Sequence, residues 1–177
     1  MQYDYYKRKL PHISIENHYI FITFRTYDSV DEYVKKISSS ILDNKQKQYD
    51  IDKYLDSSNN GAYFYGKVLE NMKDILLQND NILYQLEAFC IMPNHIHIMI
   101  LPKDNLSNII KYIKGTSANK INKLLNRQGA FWQREYYDKV VRDEIIYEKV
   151  LKYIFYNPIK AKLADSDERV YCRYDRT

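Results

Sequence analysis

Hydrophobic and polar positions alternate most regularly between Cys90 and Pro102, in the segment CIMPNHIHIMILP. At the two-residue period of a β-strand, His95 and His97 lie on one face, and the isoleucines that alternate with them lie on the other. The dipeptide Pro93-Asn94 predicts a turn directly before this strand. One face is therefore suited to a hydrophobic core, whereas the other presents two imidazoles that point the same way.

Three further segments have the composition of β-strands. Residues 18–26, HYIFITFRT, alternate aromatic and β-branched side chains, and residues 82–92 and 131–141 are also predicted to be strands. The strand at 82–92 lies close enough to His95 to form a hairpin with the strand that starts there. Residues 1–17, which include the basic cluster at 7–9, are predicted to form an extended arm.

Helical periodicity separates the first two strands. Apolar residues recur every three or four positions from Val30, and this pattern predicts a helix that continues to Leu55. Residues 57–61, SSNNG, predict a loop, and residues 65–76 predict a second helix. Neither helix shows an obvious reactive group, so we interpret both as packing elements.

The second half of the chain predicts two more helices. Residues 106–125 combine an apolar face with a basic one, and Gly115 is expected to weaken this helix in its middle. Asp143 is the predicted N-cap of the last helix. We expect that helix to end at Tyr156 or Asn157, because Pro158 follows.

This order of elements predicts an α+β fold with a ferredoxin-like antiparallel sheet. Helices would cover the isoleucine face, and the last helix would cover the opposite face, where His95 and His97 lie. A chain of 177 residues with 45% hydrophobic residues has the size of one domain, which we expect to span residues 1–177.

Composition indicates a cytoplasmic protein. The N-terminal segment lacks an apolar signal region, and no apolar run approaches the length of about 20 residues that a membrane span requires. The two cysteines, Cys90 and Cys172, form neither a disulfide framework nor a thiolate metal motif. With nineteen tyrosines in the chain, a tyrosine alone carries little functional information.

Positive charge is concentrated between Lys103 and Arg134, where seven basic residues face one acidic residue, a net of +6. Such asymmetry predicts a nucleic-acid surface, although a solvated helix face is the alternative. Trp132, Tyr136 or Tyr137 could stack on unpaired bases, or could simply belong to the core. The predicted DNA-binding residues are Lys103, Lys111, Lys114, Lys120, Lys123, Arg127, Trp132 and Arg134.

Tyr153 and Asn157 lie one turn apart on the last helix, which is predicted to cover the sheet face that carries the two histidines. A metal held by two imidazoles and an amide can withdraw charge from a phosphodiester while a phenolate attacks the phosphorus. The alternative is that the histidines are structural, that Tyr153 packs in the core and that Asn157 caps the helix.

The sequence resembles the REP-associated tyrosine transposases of the HUH superfamily, which are relatives of the IS200-like single-strand transposases. The resemblance spans most of the chain and is most specific in the order of PNHIH, FWQREYYD and YIFYNPIKA. The segments that carry it are RKLPH (8–12), YLDSSNNGAYF (54–64), LEAFCIMPNHIHIMI (86–100), KGTSANKINKLL (114–125), FWQREYYDKVVRDE (131–144) and YIFYNPIKAKL (153–163).

The resemblance implies a function and a set of site residues. His95 and His97 match the metal ligands, Asn157 matches the third ligand, and Tyr153 matches the nucleophile. The implied cofactor is Mg²⁺ or Mn²⁺, and the implied partner is a single-stranded DNA hairpin that a monomer or homodimer nicks and rejoins through a 5′-phosphotyrosine. Lys162 departs from a usual glycine, and the C-terminal YCRYDRT departs from a usual tryptophan-serine region.

Two other functions remain open from the sequence. The first is an HUH replication or mobilisation nickase, which would use the same chemistry on another substrate. The second is a non-catalytic single-stranded nucleic-acid-binding module with structural histidines.

Overall fold

The computed structural model describes the strands at residues 3–7 and 11–15 and the continuous chain from 17 to 173. The strands are β1 (Tyr3–Lys7), β2 (Pro11–Ile15), β3 (Ile20–Arg25), β4 (Tyr84–Ile91), β5 (His95–Pro102), β6 (Tyr137–Val140) and β7 (Val170–Cys172). The helices are α1 (Glu32–Ser39), α2 (Asn44–Leu55), α3 (Gly66–Gln78), α4 (Leu106–Leu124) and α5 (Glu144–Lys160).

Five strands form the main antiparallel sheet in the order β6-β3-β5-β4-β7. The predicted hairpin of β4 and β5 is present, and the predicted α+β class with an antiparallel sheet is confirmed. The extended arm predicted at residues 1–17 is more structured than expected, because β1 and β2 pair as a separate antiparallel sheet. Part of its basic cluster lies outside the described residues.

The two faces of the main sheet are covered by different helices, as predicted. Ile96, Ile98 and Ile100 pack in one core with residues of α3 and α4. On the opposite face, Met99 of β5 packs in a second core with Ile154 of α5. This alternation along β5 directs both histidines toward α5.

The single helix predicted from Val30 to Leu55 is wrong, because two helices occupy this interval. Asp31 caps α1 and accepts hydrogen bonds from two backbone N–H groups of its first turn, and Asp43 caps α2 and accepts one, from the Gln46 N–H. The residues between the helices, which begin at the C-cap Ser40, therefore form a connection rather than a helical turn.

Three boundaries in the second half differ from the predictions. Helix α4 runs through Gly115 without interruption, and β6 covers only four residues of the predicted strand 131–141. Helix α5 continues past Pro158 to Lys160. Proline removes one N–H donor, but the Ala161 N–H still reaches the Asn157 carbonyl at 3.0 Å, so the last turn remains closed.

Candidate active site

Asn94 fixes the orientation of His95. The Asn94 amide nitrogen donates to the backbone carbonyls of Leu55, Ser58 and Asn60, at 3.2, 3.0 and 3.3 Å. Its oxygen must then accept, and it lies 2.8 Å from His95 Nδ1. His95 therefore carries its proton on Nδ1 and presents the Nε2 lone pair, which is the state that a metal ligand requires.

His97 has a similar arrangement. Its Nδ1 lies 2.8 Å from the Thr23 hydroxyl on β3, and its ring stacks on Phe21 with centroids 5.6 Å apart. Both imidazoles are fully buried, and neither Nε2 atom has a hydrogen-bond partner among the described residues. Burial lowers the pKa of His97 to about 4 and holds the pKa of His95 well below its usual value, so both rings are neutral at pH 7.

Helix α2 brings Asp52 to the two imidazoles. Ligand atoms of Asp52, His95 and His97 all lie within 4.8 Å of one another, and all three residues are buried. We predicted α2 to be only a packing element, so Asp52 was missed. The available signal was the spacing of Gln48, Asp52 and Asp56, which repeats every four residues and forms one polar stripe on an otherwise amphipathic segment.

A second carboxyl group lies beside this cluster. Asp56 Oδ1 is 3.8 Å from His95 Nε2, too far for a hydrogen bond, and it has no hydrogen-bond partner among the described residues. Desolvation, and secondarily the charge of Asp52, raise the pKa of Asp56 to about 7. Asp56 is therefore only partly ionised near pH 7.

Tyr153 lies directly on the histidine pair. Its ring contacts the His97 ring edge-on, with centroids 5.0 Å apart, and its hydroxyl donates to Asp52 Oδ2 at 3.0 Å. Burial and the charge of Asp52 raise the pKa of Tyr153 above its usual value, so the resting group is a phenol.

Asn157 follows one turn after Tyr153 and is 3% exposed. Its amide nitrogen is buried and has no hydrogen-bond partner among the described residues. Its role as a metal ligand stays a prediction.

Arg25 is a further residue that sequence reasoning missed. It pairs with His95 in the β3–β5 register, so both side chains lie on the same face of the sheet. Its guanidinium donates to Gln48 Oε1 at 2.7 Å, and Gln48 donates in turn to Asp52 Oδ1 at 2.5 Å. The Arg25 guanidinium is therefore linked to Asp52 through the neutral amide of Gln48.

The donor set fits a divalent cation. Without a cation, burial of the Asp52 carboxylate and of two imidazole nitrogens that have no partner among the described residues would be costly. Two imidazoles and one carboxylate suit first-row transition metals such as Mn²⁺, whereas Mg²⁺ prefers oxygen ligands. The residues present therefore fit Mn²⁺ better than Mg²⁺.

The predicted DNA-binding residues divide into two groups. Lys103, Lys111, Lys120, Lys123 and Arg134 are exposed, and of these Lys103 also donates to the Asn81 carbonyl at 2.9 Å. The others make internal contacts: Trp132 is 7% exposed, and its indole nitrogen donates to Ser117 Oγ at 2.8 Å. The ammonium group of Lys114 donates to the carbonyls of Gln133, Arg134 and Glu135, and Arg127 forms an ion pair with Asp28 at 2.8 Å.

The internal contacts of Trp132 and Lys114 give them structural roles. Trp132 packs against Phe24 and Phe131, so its ring is not available to stack on a base. Tyr136 is also buried at 7% exposure, whereas Tyr137 is partly exposed.

In the part of the chain that the structure describes, no helix is long and apolar enough to span a bilayer.

Comparisons with known proteins extend these observations. The family model described as Transposase IS200 like matches residues 55–157. A Haemophilus influenzae protein assigned as a REP-associated tyrosine transposase is 27% identical over 130 residues, which cover 59% of this chain and 74% of that protein. The resemblance predicted from the motifs is therefore confirmed.

A solved structure supports the fold. The structure of a REP-associated tyrosine transposase bound to a REP hairpin matches with a TM-score of 0.52 and 18% identity, covering 88% of this chain and 72% of that chain. A crystal structure of a Deinococcus radiodurans protein assigned as a transposase has a TM-score of 0.46 and 16% identity, covering 84% and 94%. Since the family model spans more than half of the sequence, the chain belongs to the IS200-like transposase family.

Proposed function

We propose that the protein is a metal-dependent DNA strand transferase that nicks and rejoins single-stranded DNA at hairpin ends through Tyr153. The observation that carries the proposal is the hydrogen bond between the Tyr153 hydroxyl and Asp52, beside two imidazoles whose Nε2 atoms have no partner among the described residues. The relative solved with a REP hairpin supports the choice of a hairpin as the DNA partner. The protein would act in the cytoplasm.

Each residue of the site has a role in this reaction. His95, His97 and Asp52 would hold the cation, with Asn157 as a further candidate ligand. A divalent cation there would withdraw negative charge from the scissile phosphodiester. Asp52 accepts the phenolic hydrogen bond and can take the proton as Tyr153 attacks the phosphorus.

The attack forms a bond between the Tyr153 oxygen and phosphorus and breaks the bond from phosphorus to the 3′ oxygen. The DNA is left with a 5′-phosphotyrosine and a 3′ hydroxyl, which takes up a proton. A 3′ hydroxyl from another strand can reverse the step and restore the phenol. No external energy source is needed, because one phosphodiester is exchanged for another.

The non-catalytic binding module is the weaker alternative. Structural histidines usually satisfy both ring nitrogens, whereas His95 and His97 each keep a buried Nε2 without a partner among the described residues. A replication or mobilisation nickase would share the chemistry, and the substrate alone would distinguish it.

Tyr153→Phe tests the proposal. The variant should bind hairpin DNA with unchanged affinity but form no covalent protein–DNA adduct, because the attacking oxygen is absent. Adduct formation is measured with Mn²⁺ and a fluorescent DNA hairpin on a denaturing gel, and the modified residue is identified by mass spectrometry.

Tyr156→Phe is the matched control, because Tyr156 is on the same helix but exposed. It should retain adduct formation. An adduct that maps to another tyrosine would disprove the assignment of the nucleophile, and binding without any adduct from wild-type protein would favour the binding module.

A further inference from the structure

A cavity of about 620 Å³ lies beside the candidate active site, between α1, α2 and the sheet edge at β6. This volume falls within the range of about 300–1,000 Å³ that is typical of small-molecule sites. Arg25 and Gln48 line the cavity and also belong to the hydrogen-bonded chain that reaches Asp52. The cavity and the site therefore share a wall.

Arg25 gives this wall a positive charge. Burial lowers the pKa of its guanidinium, and the charge of Asp52 partly opposes that shift. A guanidinium nevertheless stays protonated in proteins. Its hydrogen bond runs to the neutral Gln48, and no carboxylate of the described residues forms an ion pair with it. A half-buried guanidinium whose hydrogen bond runs to a neutral amide is a favourable place for an anion to bind.

The chain segment next to Arg25 on the same sheet, which leads into β6, carries groups that suit a nucleobase. Tyr137 lines the cavity with a partly exposed aromatic ring, on which a base can stack. Glu135 also lines it, and its Oε2 atom is buried without a hydrogen-bond partner among the described residues. Lys114 holds the backbone carbonyls of Gln133 and Glu135, so this segment is fixed before any ligand arrives.

We propose that this cavity binds one nucleotide of the single-stranded DNA next to the scissile phosphate. Arg25 contacts its phosphate, and Glu135 accepts a hydrogen bond from the amino group of its base. Adenine, cytosine and guanine carry such an amino group, whereas thymine does not. The inference rests on the proposed function, because the strand must pass Tyr153 to bring a neighbouring nucleotide here.

An abasic scan tests the base-binding half. Each nucleotide in the single-stranded tail of a hairpin oligonucleotide is replaced in turn by an abasic site, and affinity is measured by fluorescence anisotropy. One position should weaken binding by about tenfold for the wild type, and thymine there should weaken it several-fold relative to an amino-bearing base. Equal affinity for every abasic oligonucleotide would disprove the pocket.

Ser38→Trp tests whether the nucleotide found by the abasic scan binds in this cavity. Ser38 lines the cavity from the exposed side of α1, so an indole there should fill it. The variant should bind intact DNA about tenfold more weakly and lose its sensitivity to the abasic position. Lys36→Trp, on the same helix but not lining the cavity, should keep the wild-type profile. An unchanged profile in Ser38→Trp would overturn the assignment.

Arg25→Gln tests the phosphate contact in case Ser38→Trp does not fold. It should weaken binding about tenfold and reduce the slope of log affinity against log salt by about 0.7, the value for one single-strand phosphate contact. Lys36→Gln, which removes an exposed charge of the same helix, should change neither quantity. An unchanged slope in Arg25→Gln would disprove the contact.

The adduct assay on the same oligonucleotides separates this proposal from the proposed function. Adducts together with a flat abasic profile would remove the pocket and leave the catalytic assignment in place. A single sensitive position without adducts would leave the pocket and remove the catalytic assignment.

Discussion

Asp52 is the residue through which the rest of the site is organised. One carboxylate oxygen accepts from Gln48 and the other accepts from Tyr153. An ionised carboxylate offers about four lone-pair directions, so both hydrogen bonds leave room for a bond to a cation. The same group can therefore hold a metal, orient the Tyr153 hydroxyl and connect with Arg25.

The identity of the third metal ligand can be measured directly. Mn²⁺ binding is followed by titration calorimetry in wild type, Asp52→Asn and Asn157→Ala. Asp52→Asn should weaken binding by at least about tenfold, because loss of the carboxylate removes the negative charge that faces the cation. His97→Ala should weaken binding at least as much, since it removes an imidazole that is already neutral at pH 7.

Tyr156→Phe serves as the control for that titration, because its exposed ring lies outside the cluster. A large loss of Mn²⁺ affinity in Asn157→Ala together with none in Asp52→Asn would identify the Asn157 amide as the third ligand and exclude the Asp52 carboxylate. Loss in both variants would mean that both residues bind the ion.

These residue roles were predictable only where local periodicity determines them. The His95–His97 pair and the Tyr153–Asn157 pair each share a face by strand or helix period, so local sequence is enough to bring the two members of each pair together. Asp52 and Arg25 reach the site through tertiary packing of α2 and through the β3–β5 register. No local period reports such contacts, although the four-residue spacing on α2 was visible.

Among the secondary-structure elements, the end of α5 contains one departure from the family pattern. Lys162 occupies the position of a usual glycine and has a φ of +56°, in the left-handed region. Its N–H bonds the Ile159 carbonyl at 2.9 Å, and the Leu163 N–H bonds the Pro158 carbonyl at 3.1 Å. These are the two hydrogen bonds of a Schellman motif, whose left-handed residue favours glycine.

Lys162→Gly should therefore stabilise the protein by about 0.5–1 kcal/mol, because glycine has no Cβ to strain this conformation. The free energy of unfolding is measured by urea denaturation. Lys160→Gly is the matched control in the last helical turn, and it should destabilise the protein by up to about 1 kcal/mol. Equal effects of the two substitutions would contradict the strain argument.

The elements themselves followed from hydrophobic pattern more closely than their boundaries did. Alternation identified β3, β4 and β5, and helical period identified α3 and α4. The break between α1 and α2 depends on the side-chain cap at Asp43, which starts a new helix after the C-cap Ser40 and interrupts a pattern that otherwise continues. The extension of α5 past Pro158 depends on hydrogen bonds beyond the proline.

At the scale of the whole molecule, the sheet separates the candidate active site from the basic helix. The apolar residues of α4 pack on the isoleucine face of β5, whereas Tyr153 and α5 lie on the other face. The exposed lysines of α4 therefore point away from the sheet on the side opposite Tyr153. A hairpin that contacts both must extend around an edge of the sheet, with its stem and its single-stranded tail on different faces.

This arrangement predicts that binding and chemistry can be separated by mutation. Lys120→Ala should reduce the slope of log affinity for a DNA hairpin against log salt by about 0.9, the value for one duplex phosphate contact. It should leave the rate of adduct formation at saturating DNA unchanged, because α4 does not reach the Tyr153 face. The slope is measured by anisotropy between low and high salt, and the rate is measured on denaturing gels.

Lys114→Ala is the informative comparison on the same helix. Its ammonium holds three backbone carbonyls before β6, so its loss should lower the free energy of unfolding rather than remove a phosphate contact. If instead Lys111, Lys120 and Lys123 could all be replaced by alanine without any change in the salt slope, these lysines would be only a solvated surface. The hairpin stem would then have to lie on the α5 side, together with Tyr153.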